Sequence, residues 1–290
     1  MEVTIRPGRA ADRATVAEFT RGTFPWGDYV ADAFESWLAD PSGRILIAAD
    51  DRDRPVGVAR VALLSPTEAW MHAARVRPDC RRMGIGMRLN DEGVAWARER
   101  GAVVARLLVE EWNTAPQRQV EKLGYRPVAR WVHAARPLDQ SAPRTDGNGG
   151  QRVLGEERLR LAHASEAEPA WMLWSSGELV IAAHGLYPVG WLWRKMTFSD
   201  VVESASHRTL WASPSGWAIA SQEPEGIFAS WLACTPDDAP RLIRALVDLA
   251  QEAGAPAVNA MAPSSDWLID ALTHAGLELH PAVVYQKELR

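Results

Sequence analysis

The stretch from Arg81 to Gly86, which reads Arg-Arg-Met-Gly-Ile-Gly, constrains the fold of this chain most strongly. An apolar segment ends just before it at Val76, and an amphipathic run from Met87 to Arg100 follows it. Because glycine has no β-carbon, Gly84 and Gly86 let main-chain N–H groups converge on a shared concavity. The first turn of a helix adds unpaired N–H donors and partial positive charge. The pattern of strand, glycine loop and helix therefore predicts a site for a pyrophosphate.

Length and composition indicate a protein of two ordinary domains. The chain has 290 residues, of which 47% are apolar, so two cores can be built. A net charge of -5 disfavours a broad nucleic-acid-binding surface. No apolar run is long enough to cross a bilayer, and the segment Met1 to Pro7 lacks a signal-peptide layout. We therefore expect a cytoplasmic protein without membrane or nucleic-acid partners.

The two cysteines, Cys80 and Cys234, predict neither a disulfide framework nor a metal site, since neither has metal-ligand neighbours in the sequence.

One break in composition divides the chain. Residues 138–151 are rich in proline, glycine and serine and predict a linker between residues 1–137 and 152–290. The same rhythm of predicted strands and helices occurs on both sides, and each side has a short helix closed by glycine, at Gly124 and at Gly276. This indicates a degenerate internal duplication and a mixed α/β (α+β) fold in two tandem domains.

The second half lacks the glycine pair. After the predicted strand that ends at Cys234, the sequence continues Thr-Pro-Asp-Asp into the next helix. Asp237 and Asp238 stabilise the start of that helix but repel a pyrophosphate. The sequence therefore predicts a phosphate site in the first half only.

Two sequence blocks resemble conserved motifs of the GNAT acetyltransferase superfamily. The first runs from Val76 through Pro78 and the arginine pair to Gly86, and it resembles the loop that binds acetyl-coenzyme A. The second comprises Asn113 and Ala115, followed by Glu-Lys-Leu-Gly-Tyr at residues 121–125. With a similar rhythm in the second half, the whole chain resembles a tandem GNAT protein whose C-terminal half is degenerate.

This resemblance implies that acetyl-CoA is the acyl donor and that no metal takes part. Val76 would pair its backbone with the pantetheine arm, and Asn113 would anchor the pantetheine region. The pyrophosphate would be held by the loop and the first helical residues, namely Arg81, Arg82, Met83, Gly84, Ile85, Gly86 and Met87.

The resemblance also leaves a gap in the catalytic machinery. The family often carries a tyrosine acid at the position of Val120, which cannot donate a proton. For the general base two candidates are open: Glu110, which follows a predicted strand, and His72, whose ordinary pKa suits proton transfer near neutrality.

The acceptor is expected to bind against the early helices. Asp28, Tyr29 and Trp37 lie on the segment that forms one wall of the acceptor site in the superfamily. A weaker similarity to histidine N-acetyltransferases, which includes Asp28-Tyr29 and Arg75-Val76, implies a small amino-acid-like acceptor.

These observations predict an N-acetyltransferase that acts on a primary amine of a small molecule, as a monomer or homodimer. Two alternatives stay open: a non-catalytic sensor of acyl-CoA, and an acyltransferase that acts on a protein N-terminus.

Overall fold

The computed structural model describes residues 2–24, 27–139 and 157–289. The chain forms two compact units. Unit 1 comprises Met1–Leu108, Ala115–Arg126 and Tyr285–Arg290, and unit 2 comprises Val109–Thr114 and Pro127–Val284. Residues 140–151 of the predicted linker lie outside the described residues, and the domain boundaries at 137/138 and 151/152 stay predictions.

Unit 1 has a sheet with helices on both faces. Its strands are β1 (Thr4–Pro7), β2 (Gly43–Ala49), β3 (Pro55–Ser65), β4 (Glu68–Val76) and β5 (Val104–Glu110), the last two residues of β5 belonging to unit 2. Its helices are α1 (Arg13–Thr20), α2 (Val30–Ala39), α3 (Ile85–Glu99) and α4 (Thr114–Lys122). The first residue of α4, Thr114, belongs to unit 2. The strands follow one another in chain order, antiparallel except for the parallel pair β4 and β5.

Alternation along the strands explains the two helical layers. Ile45 and Ile47 of β2 pack in one buried cluster with Phe34 and Trp37 of α2. Leu46, between them, points to the opposite face, where a β-carbon on Gly93 of α3 would lie 3.4 Å from its side chain. Helices therefore cover both faces of the sheet. This explains why β2 has apolar residues on both faces and does not alternate between apolar and polar residues.

The parallel strands β4 and β5 separate along their length. They pair only at their beginnings, the last pair being Trp70 with Arg106. Three residues later β4 bulges: Val58 pairs with Arg75 and Arg60 with His72, so two β4 residues oppose one on β3. Ala73 in this bulge adopts a left-handed φ of 57°. The bulge bends β4 where its pairing with β5 has ended.

Unit 2 repeats the plan of unit 1. Its strands are β6 (Arg126–Pro137), β7 (Arg160–Leu161), β8 (Leu186–Val189), β9 (Leu192–Lys195), β10 (Leu210–Ser213), β11 (Gly216–Glu223), β12 (Gly226–Ala233), β13 (Ala257–Pro263) and the residues of β14 (Glu278–Glu288) up to Val284. Its helices are α5 (Ala167–Ser176), α6 (Glu178–Ala182), α7 (Phe198–Ser206), α8 (Ala239–Glu252) and α9 (Asp266–His274). Strands β6, β13, β12, β11, β10 and β7 are neighbours in that order, while β8 and β9 pair separately.

The second parallel pair confirms the duplication. Strands β12 and β13 pair only from Ile227 with Val258 to Ala229 with Ala260. One residue later, Ser230 is extra in the pairing of β12 with β11, which matches the bulge in β4. The predicted mixed α/β fold with two tandem repeats is therefore confirmed.

The last strands do not follow the order of the repeats. The sequence places the strand around residues 128–135 at the end of the first half, yet from Pro127 onward β6 belongs to unit 2, where it pairs with β13. Conversely, Tyr285–Arg290 belong to unit 1. Local sequence patterns cannot reveal this exchange, because either strand would read the same in either unit.

Candidate functional site

The glycine loop of unit 1 combines a 3₁₀ turn, the extended residue Arg81 and two left-handed residues. One 3₁₀ turn spans Pro78–Cys80, Arg82 has a φ of 65°, and Gly84, with a φ of 76°, is the N-cap of α3. Successive N–H groups in such a conformation point toward the same side and form an anion-binding concavity.

The donors of this loop are unused. The N–H groups of residues 82–87 have no acceptor among the described residues, and the first helical bond of α3 runs from Arg88 N to Gly84 O at 3.1 Å. The side chains of Arg81 and Arg82 are exposed beside them. The residues present therefore fit a diphosphate, which would take the free N–H groups at the helix N-terminus.

The two glycines have different structural roles. A β-carbon on Gly84 would meet only the Met87 methyl carbon, at 3.9 Å, so the space above the concavity is open. A β-carbon on Gly86 would instead lie 2.9 Å from Nε2 of Gln119 on α4. Gly84 supplies the left-handed turn, and Gly86 allows the close approach of α4.

At the matching helix start in unit 2, the N–H groups of the first helical turn are engaged or missing. The N–H groups of Asp238 and Ala239 both donate to the carbonyl of Thr235, and that of Arg241 donates to Asp238 O. Pro240 has no N–H, and the Asp238 carboxylate accepts a hydrogen bond from the Thr235 hydroxyl at 2.6 Å. The predicted contrast between the two halves therefore has a direct basis in hydrogen bonding.

The two residues expected to hold pantetheine lie in different units. Val76 is the last residue of β4, beyond its pairing with β5, and its carbonyl accepts from Arg81 Nε at 3.4 Å. Asn113 directly precedes α4, and its N–H donates to the carbonyl of Glu110 at 3.0 Å. Their roles toward pantetheine stay predictions.

The predicted acceptor residues come together in unit 1. The rings of Tyr29 and Trp37 meet edge to face with centroids 5.8 Å apart, and Trp37 meets the His72 ring at 5.1 Å. Asp28 accepts a hydrogen bond from Arg75 Nε at 2.6 Å. The structure thus joins all three acceptor candidates with one of the two base candidates.

Arginines complete this cluster, and the sequence gives only a weak signal for them. The Arg60 guanidinium lies over the Trp37 ring at 5.0 Å and forms an ion pair with Asp40. Arg60 is the single charge in the otherwise apolar strand β3, while Arg75 lies near the end of β4, which also holds Glu68 and His72. A buried charge such as Arg60 usually has a specific partner.

His72 is held in its neutral form. Burial, followed by the charges of Arg60 and Arg75, lowers the pKa of His72 from 6.5 to about 3. Its buried Nε2 atom has no hydrogen-bond partner among the described residues. A group with so low a pKa takes up a proton poorly near neutral pH, which favours Glu110 over His72 as the base.

Neither Val120 nor the nearby Tyr125 supplies the usual tyrosine acid. Val120 is buried in α4. Tyr125 is fully buried, and its hydroxyl donates to Asn90 Oδ1 of α3 at 3.0 Å. Burial raises the pKa of Tyr125, so its phenol is a packing group that remains protonated.

The neighbour of the other base candidate is engaged elsewhere. Glu110 ends β5, and the next residue, Glu111, forms an ion pair with Arg130. The role of Glu110 as the base stays a prediction.

Comparison with known proteins identifies the first repeat. The family model described as the acetyltransferase (GNAT) family matches residues 12–125. Residues 12–125 form a GNAT acetyltransferase domain. GNAT acetyltransferases in general transfer acetyl from acetyl-CoA to amines. No curated protein matches the sequence.

Solved structures extend the likeness beyond this GNAT domain. A GCN5-related N-acetyltransferase from Sphaerobacter thermophilus is similar with a TM-score of 0.68 and 17% identity, covering 99% of this chain and 96% of its own. A tandem GNAT protein from the clavulanic acid biosynthesis pathway is similar with a TM-score of 0.60 and 15% identity, and the match covers 100% of this chain and 99% of that protein. A GCN5-related N-acetyltransferase from Kribbella flavida has a TM-score of 0.53 and 16% identity, and the match covers 99% of this chain and 72% of that protein. At these identities the likeness establishes the tandem GNAT fold.

Other classes of site find no support in the described parts of the chain. They contain no cluster of three or more histidine, cysteine, aspartate or glutamate side chains suited to a metal ion. None of the described helices has both the length and the apolar character needed to cross a bilayer.

Proposed function

We propose that this protein is an N-acetyltransferase that uses acetyl-CoA to acetylate a primary amine of a small molecule. The observation that carries the proposal is the set of unused N–H groups at residues 82–87, in a loop that resembles the family's coenzyme loop and lies within the matched residues 12–125. Unit 2 has no equivalent set, so one donor site per chain is expected.

The chain's own groups would divide the chemistry as follows. The amides of the loop and the N-terminus of α3 bind the diphosphate and so orient the thioester. Glu110 removes a proton from the acceptor ammonium, because attack on the thioester requires a neutral amine. With valine at position 120, the departing thiolate takes its proton from solvent.

Two substitutions of Gly84 test the donor site. Asparagine and aspartate both tolerate a left-handed φ and differ by one charge, so Gly84→Asn is the matched control for Gly84→Asp. The carboxylate would face the diphosphate, and we expect coenzyme A affinity to fall at least about tenfold further in Gly84→Asp than in Gly84→Asn, a difference of about 1.4 kcal/mol. Calorimetry with coenzyme A measures both; equal affinities would contradict the assignment of the loop.

A turnover assay distinguishes an enzyme from a non-catalytic sensor of acyl-CoA, which is the alternative that the absence of the usual tyrosine favours. Release of free thiol from acetyl-CoA is followed with a panel of amines, and Glu110→Gln is compared with the wild type. We expect turnover in the wild type and a loss of about 10²-fold or more in kcat for Glu110→Gln with coenzyme A affinity retained. Tight binding without turnover for any amine favours the sensor, and unchanged kcat in Glu110→Gln removes Glu110 as the base.

A further inference from the structure

The side chain of Arg75 is held on two sides. Its Nε donates to Asp28 Oδ2 at 2.6 Å, and its Nη1 donates to the carbonyl of Ala74 at 3.1 Å. The Asp28 side chain is only 2% exposed, and its other oxygen accepts from the Val30 N–H at 3.0 Å. The carboxylate is therefore fixed by the start of α2 and in turn fixes the guanidinium.

Aromatic rings fix the plane of the same group. Its central carbon lies 5.0 Å from the ring centre of Phe24 and 5.9 Å from that of Tyr29. The remaining nitrogen, Nη2, has no carboxylate or carbonyl acceptor among the hydrogen bonds of the described residues, and the Arg75 side chain is 17% exposed. The Tyr29 hydroxyl interacts with the same guanidinium. Arg75 thus presents one oriented pair of N–H donors next to a phenol.

The electrostatic surroundings favour an anion over a second cation. Arg60 carries the other guanidinium group of the cluster and is buried. It lies on β3 directly opposite His72 of β4. After burial, Arg60 and Arg75 are the charges that lower the pKa of His72 to about 3. Burial is the largest cause of this lowering, and the two guanidinium groups, although paired with Asp40 and Asp28, add a positive contribution that disfavours a further cation nearby.

From this geometry we propose that the acceptor is a primary amine that carries a carboxylate, and that Arg75 Nη2 and the Tyr29 hydroxyl bind that carboxylate. The inference rests on the proposed function and assigns the substrate class of its acceptor site. A preoriented guanidinium with a planar pair of donors suits a carboxylate better than any neutral polar group. Polyamines and aminoglycosides, which bring additional positive charge, are excluded as preferred acceptors.

The first test compares acceptors that differ only in the anion. Amino acids are assayed beside their carboxamides, together with a diamine of similar length, by release of thiol from acetyl-CoA. We expect kcat/KM to be at least about tenfold higher for the carboxylate than for the carboxamide, with the diamine lower still. Equal rates for acid and amide, or a preference for the diamine or for peptide N-termini, overturn the inference.

The second test uses variants that separate recognition from folding. Arg75→Gln leaves the buried Asp28 charge unpaired and can fail to fold, so Arg75→Lys and the neutral double variant Asp28→Asn/Arg75→Gln are used as well. In each folded variant the preference for the carboxylate should fall to about twofold or less, because lysine has no planar fork to serve Asp28 and the ligand together. Arg100→Gln, which removes an arginine from the end of α3, is the control and should keep the full preference.

A binding measurement distinguishes failure of this inference from failure of the proposed function. Calorimetry with amino acids is carried out in the presence of coenzyme A. Binding of carboxylates that is lost in Arg75→Lys supports the inference even where turnover is slow. Thioester turnover without any discrimination by the carboxylate overturns the inference while the proposed function stands, whereas coenzyme A binding without turnover for any amine counts against the proposed function itself.

Discussion

At the scale of single residues, the cluster around Trp37 shows how position changes the chemistry of a side chain. By type alone, His72 is a good candidate for a base near neutral pH. In the structure its ring packs on Trp37, and burial together with two guanidinium groups holds it neutral. The same contacts that disfavour His72 as a base keep it as a neutral ring within the proposed acceptor site.

This burial makes stability depend on pH. The pKa of His72 is about 3 in the folded protein and about 6.5 when unfolded. Between these values the unfolded state binds the additional proton, so the stabilising contribution is complete above about pH 6.5 and is lost as pH falls toward 3.

We therefore expect His72→Gln to be less sensitive to acid than the wild type. The slope of unfolding free energy against pH should decrease by up to about 1.4 kcal/mol per pH unit between pH 6 and 4. Urea unfolding at several pH values measures it. An equal loss of stability in both proteins as the pH falls would contradict a neutral His72. So would NMR signals of the His72 ring in the wild type that titrate near pH 6.5.

At the scale of elements, the bulge in β4 links strand geometry to the site. It follows the last pair between β4 and β5, and it brings His72 and Arg75 to the side where α2 packs. Ala73 occupies a left-handed conformation there and is nearly fully buried. Such a conformation in a non-glycine residue costs on the order of 1 kcal/mol and persists because the surrounding packing holds it.

A β-branched side chain should not be tolerated at this bulge. We expect Ala73→Val to lower the unfolding free energy by about 2–4 kcal/mol, because valine combines a left-handed strain with excess volume in the core. Ala69→Val, at a buried position of the same strand without positive φ, controls for volume alone. Denaturant midpoints compare them, and equal losses would show that the backbone conformation of Ala73 has no special role.

At the scale of the whole molecule, the repeats in sequence and the compact units do not coincide. Unit 1 includes Tyr285, in the last part of β14, and Leu289, just beyond that strand. Tyr285 is 2% exposed and Leu289 is 6% exposed. The Leu289 N–H donates to Val103 O at 2.9 Å, and the Tyr285 hydroxyl lies 3.5 Å from Gln117 Oε1 of α4. Unit 1 thus depends on residues that lie far along the chain from its coenzyme loop.

Deleting residues 285–290 should therefore destabilise unit 1. Loss of the Tyr285 side chain alone is expected to cost about 3–5 kcal/mol, as for other buried aromatic groups. Glu288→Ala, at an exposed position of the same strand, is the control and should change little. Thermal unfolding with and without coenzyme A follows the effect on unit 1. A deleted chain with unchanged stability and coenzyme affinity would contradict this dependence.

Much of the fold, and the local structure of the candidate coenzyme loop, could be predicted from the sequence. The glycine loop, its helix and the acidic start of α8 were predicted correctly, because backbone freedom and charge at a helix start are local properties. The elements between residues 164 and 206 were missed, since α5 to α7 and the pair β8 and β9 are four to ten residues long and are interrupted by Gly177, Gly185 and Gly190. Short elements between glycines carry too few turns for periodicity to appear.

The sequence by itself determined the loop with free amides that we propose binds a diphosphate, because these amides follow from two glycines and a helix start within six residues. Only the tertiary structure decided the surroundings of the proposed acceptor site: Asp28 and Arg75 are 47 positions apart in the sequence and meet where the start of α2 approaches β4. It also decided which unit each final strand completes. Ion pairs across elements and strand exchange depend on register and on packing between distant segments, and no local pattern specifies either.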